Sequence, residues 1–179
     1  NGNSVSGWAD QSGNGRDATQ PVAGQQPTFV AASPQANGKP VIRFPGATWL
    51  DYDGTFLANT AYTVFVVEAR NPPGPATIAN FFMAGSGAVN ANLALGYEND
   101  TTLRQAHFGN DLDASIAPFL SQKFAHPPPW YDPAVGRKIY RNGQLLVADN
   151  NNTSLSSYVG ASIGHFPAIP GFSYFGDIA

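Results

Sequence analysis

With no cysteine among its 179 residues, the chain has to draw any chemistry from oxygen and imidazole. Thiolate nucleophiles, disulfides and Cys-ligated zinc are excluded. Paired carboxylates are the first candidates for acid–base work, and Glu98-Asn99-Asp100 sets two of them at i and i+2, on one face of a strand. The other glutamate, Glu68, falls in an apolar run that reads as core. His107, His126 and His165 stand singly, without H-E-x-x-H or comparable ligand spacing. Gly85-Ser86-Gly87 lacks the G-x-S-x-G pattern of a nucleophile elbow. No proton-transfer pair or activated nucleophile emerges, and the chain reads as a non-enzyme.

Binding chemistry is better represented. Oxygen-rich clusters lie at Asn110-Asp111-Leu112-Asp113, Asn99-Asp100, Asp51-Tyr52-Asp53 and Asp149-Asn150-Asn151-Asn152. Such donors suit a hard cation, and although none follows an EF-hand loop, Asp111 and Asp113 are the metal candidates, with calcium the cofactor they imply. Sugar recognition needs an aromatic ring for the C–H face and polar groups for the hydroxyls. Trp130-Tyr131 follows Pro127-Pro128-Pro129, which hold the chain extended, and Asp132 adjoins them. Trp130 and Tyr131 are the aromatic candidates, with His107, Asn110 and Asp111 as polar partners. Trp8 reads as structural; Trp49 either packs under a rim or stands exposed.

These residues must be carried by strands. The chain holds 19 Gly and 15 Pro spread along its length, so long helices are not expected. Between the breakers lie short β-branched and aromatic runs: Val41–Phe44, Tyr62–Ala69, Asn80–Met83, Leu93–Tyr97, Leu103–Phe108, Lys138–Arg141, Leu145–Ala148, Val159–Gly164 and Phe172–Ile178. Tyr62–Ala69 is apolar on both faces and predicts one central strand. Asn142-Gly143 between two strand-like runs predicts a hairpin, because both residues tolerate the positive φ of a type I′ turn. The class is all-β, an antiparallel β-sandwich or jelly roll. A length of 179 residues fits a single domain, 1–179.

Four segments in order resemble the concanavalin A-like, bacterial laminin-G-like (LamG) jelly-roll family. They are Trp8-Ala9-Asp10-Gln11-Ser12-Gly13-Asn14-Gly15 through Ala18-Thr19; Asn37-Gly38-Lys39-Pro40 through Phe44-Pro45-Gly46 and Leu50, with Tyr62–Val67 as the core strand after it; Tyr131-Asp132 with Lys138–Gly143; and Ile163-Gly164 with Phe175-Gly176-Asp177-Ile178-Ala179. The resemblance implies a LamG-like sandwich over nearly the whole chain, excised from a longer one, with the family's first and last strands missing. It implies a calcium at the sandwich rim, and it places Tyr131-Asp132 in a core motif. The fold also hosts glucanases with an E-x-D-x-x-E strand; Glu98 and Asp100 match its first two acids, but Leu103 stands where the last Glu would be, and leucine cannot protonate a leaving group.

Net charge is −3, and the nine basic residues are scattered, so no patch matches a run of phosphates and nucleic acid is excluded as a partner. No apolar run reaches membrane-spanning length, and no membrane insertion is expected. The expected role is a non-catalytic glycan- or polysaccharide-binding module, extracellular or on a cell or virion surface, with other domains of the parent chain or neighbouring subunits as further partners. A structural module of a surface layer, filament or virion, completed by strand addition at open edges, is the alternative. An atypical glycoside hydrolase or lyase is the third reading.

Overall fold

The computed structural model describes residues 2–70, 79–85, 88–117, 129–156, 160–165 and 172–179. Its strands in chain order are β1 (Asn3–Ser4), β2 (Gly7–Trp8), β3 (Ala18–Thr19), β4 (Thr28–Ser33), β5 (Lys39–Pro45), β6 (Leu50–Tyr52), β7 (Tyr62–Thr63), β8 (Glu68–Arg70) and β9 (Ala79–Gly85). They continue with β10 (Asn92–Asn99), β11 (Thr102–Ala106), β12 (Asp111–Ser115), β13 (Pro129–Asp132), β14 (Gly136–Arg141), β15 (Gln144–Asp149), β16 (Ala161–Ile163) and β17 (Phe175–Ile178). No α-helix occurs among the described residues, only three single-turn 3₁₀ segments.

These strands form three sheets in the orders β1-β4-β5-β17-β8, β12-β11-β10-β9-β16-β6-β3-β2 and β15-β14-β13-β7, with antiparallel pairing throughout. The eight-stranded sheet packs against both of the others. It meets the four-stranded sheet where His107 lies against Tyr62 and Tyr131, and the five-stranded sheet where the Tyr97 hydroxyl reaches Glu68. The result is a sandwich whose core holds Phe44, Leu93, Leu95, Tyr97, Tyr131, Ile139 and Tyr174.

Alternation explains most of this. In β12, Leu112 and Ala114 are buried while Asp111, Asp113 and Ser115 are exposed. In β10, Asn92 through Tyr97 are buried on both faces: Leu93, Leu95 and Tyr97 enter the main core, and Ala94 joins Ala106 and Phe172 in a second cluster. Each fully buried leucine contributes about 2 kcal/mol by leaving water, so Leu95→Ala costs about 3 kcal/mol once its cavity is added.

The run Tyr62–Ala69 is not one central strand. Tyr62 and Thr63 pair with Tyr131 and Trp130, whereas Glu68 through Arg70 pair with Ile178 through Gly176. Two partners on different sheets break the strand between them. Val64 N–H makes the last bond to the four-stranded sheet, on Pro129 O at 3.1 Å, and Val67 O accepts the Ala179 N–H at 2.9 Å. Between those anchors Phe65 stands 80% exposed.

The predicted hairpin is present: Asn142 (φ 52°) and Gly143 (φ 80°) join β14 to β15. The opening motif is a loop organised by Asp10, whose carboxylate accepts Ser12 N (2.8 Å), Ser12 Oγ (2.7 Å) and Arg16 N (3.1 Å). Those bonds, led by the Ser12 amide, hold its carboxyl down at about 2. Residues 124–128, including His126 and the first two prolines, lie outside the described residues, as do Ser86 and Gly87; Pro129 opens a regular strand, where its missing N–H is tolerated.

Candidate functional site on the four-stranded sheet

Period-two alternation sorts the residues of β13 and β14. Tyr131, Arg137 and Ile139 point inward and are buried; Trp130, Lys138 and Tyr140 point outward and are partly covered. Cross-strand register places Trp130 opposite Lys138 on one side and Thr63 on the other. Together with Phe65, these residues line an open depression of about 500 Å³. The Lys138 ammonium sits 4.7 Å from the Trp130 ring centroid, a cation–π contact between the two side chains. Asp132 shares the face at its turn end, where its carboxylate accepts the Ala134 N–H at 2.7 Å.

What holds this face is a polar layer beneath it. Tyr131 and His107 are both 0% exposed, so the expectation that they touch a ligand is corrected: they are buried supports. The Tyr131 hydroxyl donates to Asn152 O at 3.0 Å. Gln105 Nε2 donates to the Tyr62 hydroxyl (2.8 Å), which lies 2.8 Å from His107 Nε2, while His107 Nδ1 lies 3.2 Å from Thr153 O. A carbonyl can only accept, so Nδ1 carries the proton and Nε2 accepts from Tyr62. Burial first, and the Arg137 charge second, pull the His107 pKa down to about 4, keeping the ring neutral at pH 7.

Arg137, 1% exposed, clamps the same region, with Nη2 2.5 Å from Asp149 Oδ2 and Nη1 donating to Asn110 O at 2.5 Å. Burial works to raise the Asp149 carboxyl, but Arg137 and the backbone N–H groups outweigh it and hold the pKa below the ordinary value. Asn110 is therefore a structural hub: its side chain donates to Asn90 Oδ1 at 3.2 Å and accepts from Asn151 Nδ2. It is not gathered with Trp130 on the outer face.

The calcium candidates lie elsewhere, on edge strand β12. Asp113 receives both arms of the Arg104 fork (Nε 2.7 Å, Nη2 2.8 Å), Glu98 takes Arg104 Nη1 at 2.6 Å, and Asp111 lies 3.6 Å from the same guanidinium. A guanidinium thus occupies the space between these acids, and no group of three His, Asp or Glu residues among the described ones is arranged to ligate a metal. As they stand, Asp111 and Asp113 do not fit a calcium site.

The carboxylates weighed for catalysis are also engaged. Asp100 pairs with Arg70 at 2.9 Å and Leu103 is buried. Glu68, fully buried, accepts the Tyr97 hydroxyl at 2.5 Å and the Tyr174 hydroxyl at 2.6 Å; burial raises its pKa against the pull of those two bonds. Trp49 donates Nε1 to Asp51 at 2.9 Å and leans on the His165 ring, with centroids 5.0 Å apart, so it is half-covered and satisfied. A larger groove of about 550 Å³ runs past Trp8, Phe29, Ile42 and Ile178, but no charged side chain lines it.

Of the residues around this depression, sequence reasoning singled out Trp130 but not Thr63, Phe65, Lys138 or Tyr140. The alternation of Lys138-Ile139-Tyr140 beside Asn142-Gly143 carried the signal for two of them. Phe65 was hidden in a run that reads as core.

No family model matches the chain, and no curated protein matches it in sequence. Solved structures do. The CBM40 of the Ruminococcus gnavus IT-sialidase, bound to α2,3-sialyllactose, superposes with TM-score 0.60 at 15% identity, covering 77% of this chain and 85% of that one. Domain 4 of AbnA, a GH43 extracellular arabinanase from Geobacillus stearothermophilus, in complex with arabinotriose, gives 0.60 at 16%, covering 85% and 71%. The Trypanosoma rangeli sialidase in complex with the inhibitor DANA gives 0.61 at 17%, covering 99% of this chain and 28% of that one. These likenesses show the fold alone, an antiparallel jelly-roll β-sandwich.

Proposed function

We propose that the protein is a non-catalytic carbohydrate-binding module of LamG-like type, working outside the cell, and that it takes a glycan on the outer face of its four-stranded sheet. The observation that carries this is the aromatic platform itself: Trp130, Tyr140 and Phe65 around one depression, with the Lys138 and Thr63 donors at hand. Sugar C–H faces stack on such rings while hydroxyls pair with the polar groups. Two of the similar structures hold oligosaccharides, sialyllactose and arabinotriose, which supports the same class of ligand here. The absence of catalysis is supported by the arginine partners of Glu98 and Asp100 and by Leu103 in the place of a third acid.

The test is calorimetric titration with sialyllactose and arabinotriose, followed by a glycan array. Trp130→Ala is expected to weaken binding about tenfold or more, with the circular dichroism spectrum unchanged, because a stacked ring contributes about 1.5 kcal/mol or more. Unchanged affinity in W130A sinks the assignment to this face. Running the titration in calcium and again in EDTA reads the metal. The Arg104 cluster supports equal affinity in both, whereas loss in EDTA and in Asp111→Ala would restore the calcium reading.

A second reading, an interaction module without a sugar site, draws on the uncharged groove past Trp8 and Phe29. Folded protein that binds no glycan but self-associates in sedimentation velocity favours it.

A further inference from the structure

We infer that the glycan taken by this face is an acidic one, a uronic or sialic acid, and that Lys138 pairs with its carboxylate. The inference rests on the reading of the face as a glycan site and narrows its ligand class.

The starting point is how the cations are spent. Arg43, Arg70, Arg104 and Arg137 each have a carboxylate within ion-pair distance, at 2.7, 2.9, 2.6 and 2.5 Å. Lys138 has none among the described residues; its ammonium rests over Trp130 at 4.7 Å. A ring quadrupole attracts a cation without neutralising it, and an ammonium carries three N–H donors, of which those turned away from the ring remain for a ligand seated beside it. Sugar stacked on Trp130 therefore meets a fixed positive charge at its edge, and the complementary group is a carboxylate.

Geometry keeps the opposing charge away. Asp132 shares the outward face but sits opposite Gly136, two residues along from the Trp130–Lys138 pair, and its carboxylate already accepts the Ala134 N–H at 2.7 Å. Lys138 lies in β14 between β13 and β15, so its backbone is fixed on both sides. The whole protein carries net charge −3, so no general field draws anions to it. Selection for an acid has to come from this one local contact, and it is removable by one substitution.

The experiment titrates the protein with trigalacturonate and with N-acetylneuraminic acid, each beside its methyl ester, in wild type, Lys138→Gln and Trp130→Ala. The expected result is that one of the acids binds about tenfold more tightly than its ester, that K138Q brings the acid to the level of the ester, and that W130A weakens acid and ester alike. Equal affinity for acid and ester, or discrimination that survives K138Q, overturns the inference and leaves the glycan reading intact. A neutral arabino-oligosaccharide that binds while both acids fail does the same. Binding of polyglutamate in preference to any sugar overturns it too, since the partner is then an acidic peptide. If no sugar of either kind binds to protein shown to be folded, the glycan reading falls together with the inference.

Discussion

His107 shows how far a residue's role departs from its type. An isolated histidine reads as a surface or ligand-contacting group, yet its ring is enclosed between Tyr62 and Tyr131, with a pKa near 4. The partners that enclose it come from residues 45 positions earlier in the chain and from the loop around Thr153, which no local pattern announces. The linkage follows. Between its ordinary value of 6.5 and about 4 the unfolded chain binds a proton that the folded chain does not, so stability falls as pH drops through that window. Glu68 acts in the opposite sense, because burial raises its pKa and the folded state then holds the proton longer as pH rises above 4.5. The two overlap, so wild type alone does not separate them. His107→Gln does: the stability difference between wild type and H107Q should change by up to about 1.4 kcal/mol per pH unit between 6.5 and 4, read by urea unfolding. A pH-independent difference would show that the ring titrates as it does in water. Tyr131 was misread for a simpler reason: side chains alternate, and Trp130 and Tyr131 cannot both face the same ligand. Phe65, by contrast, stands 80% exposed, so Phe65→Ser should leave stability within about 0.5 kcal/mol while weakening the proposed glycan binding.

Turns and strand breaks decide where those residues end up, and they were unequally legible. The β14–β15 hairpin was readable because Asn142-Gly143 satisfies a backbone requirement that few residue pairs meet. The break within Tyr62–Ala69 was not, because composition says only that a strand is apolar and not that its two halves pair with different sheets. Strand β12 was hidden for a related reason: its outward acids read as an oxygen cluster, although Leu112 and Ala114 mark the buried face. The turn that sets Trp130 against Lys138 depends on Gly136, whose φ of 111° suits glycine, and where a Cβ would collide with the Asp149 carbonyl oxygen. Gly136→Ala should therefore cost about 2 kcal/mol or more, against about 1 kcal/mol for Gly143→Ala, whose Cβ would meet nothing within 4 Å. Equal costs by urea denaturation would mean that the turn relaxes around the added methyl and that Gly136 does not set the register.

At the scale of the whole molecule, the sandwich class followed from punctuation and strand composition, but the division into sheets did not, since it depends on polar contacts between residues far apart in sequence. The junction between the four-stranded sheet and edge strand β12 is one of these. There Arg137 reaches from β14 to Asp149 at the end of β15 and to the Asn110 carbonyl just ahead of β12. Removing a buried guanidinium leaves a carboxylate and a carbonyl without their donor, which costs more than the pair is worth against an apolar replacement. Arg137→Met, which keeps the volume and drops the charge, should lose about 3 kcal/mol. The loss should also be uneven. The strands β13, β14 and β15 reach the eight-stranded sheet through this clamp, through the contacts of Tyr62 and Tyr131 with His107 and through Ile139 in the shared core, whereas β10 is held by neighbours on both sides and buried on both faces. Hydrogen exchange on R137M should therefore show amides of β13–β15 opening well before those of β10 and β11, and glycan affinity should fall with them, because the platform opens as a unit. Uniform loss of protection would mean that the sandwich unfolds as one cooperative body, and the polar junction would then be a contributor to stability with no particular hold on the proposed binding face.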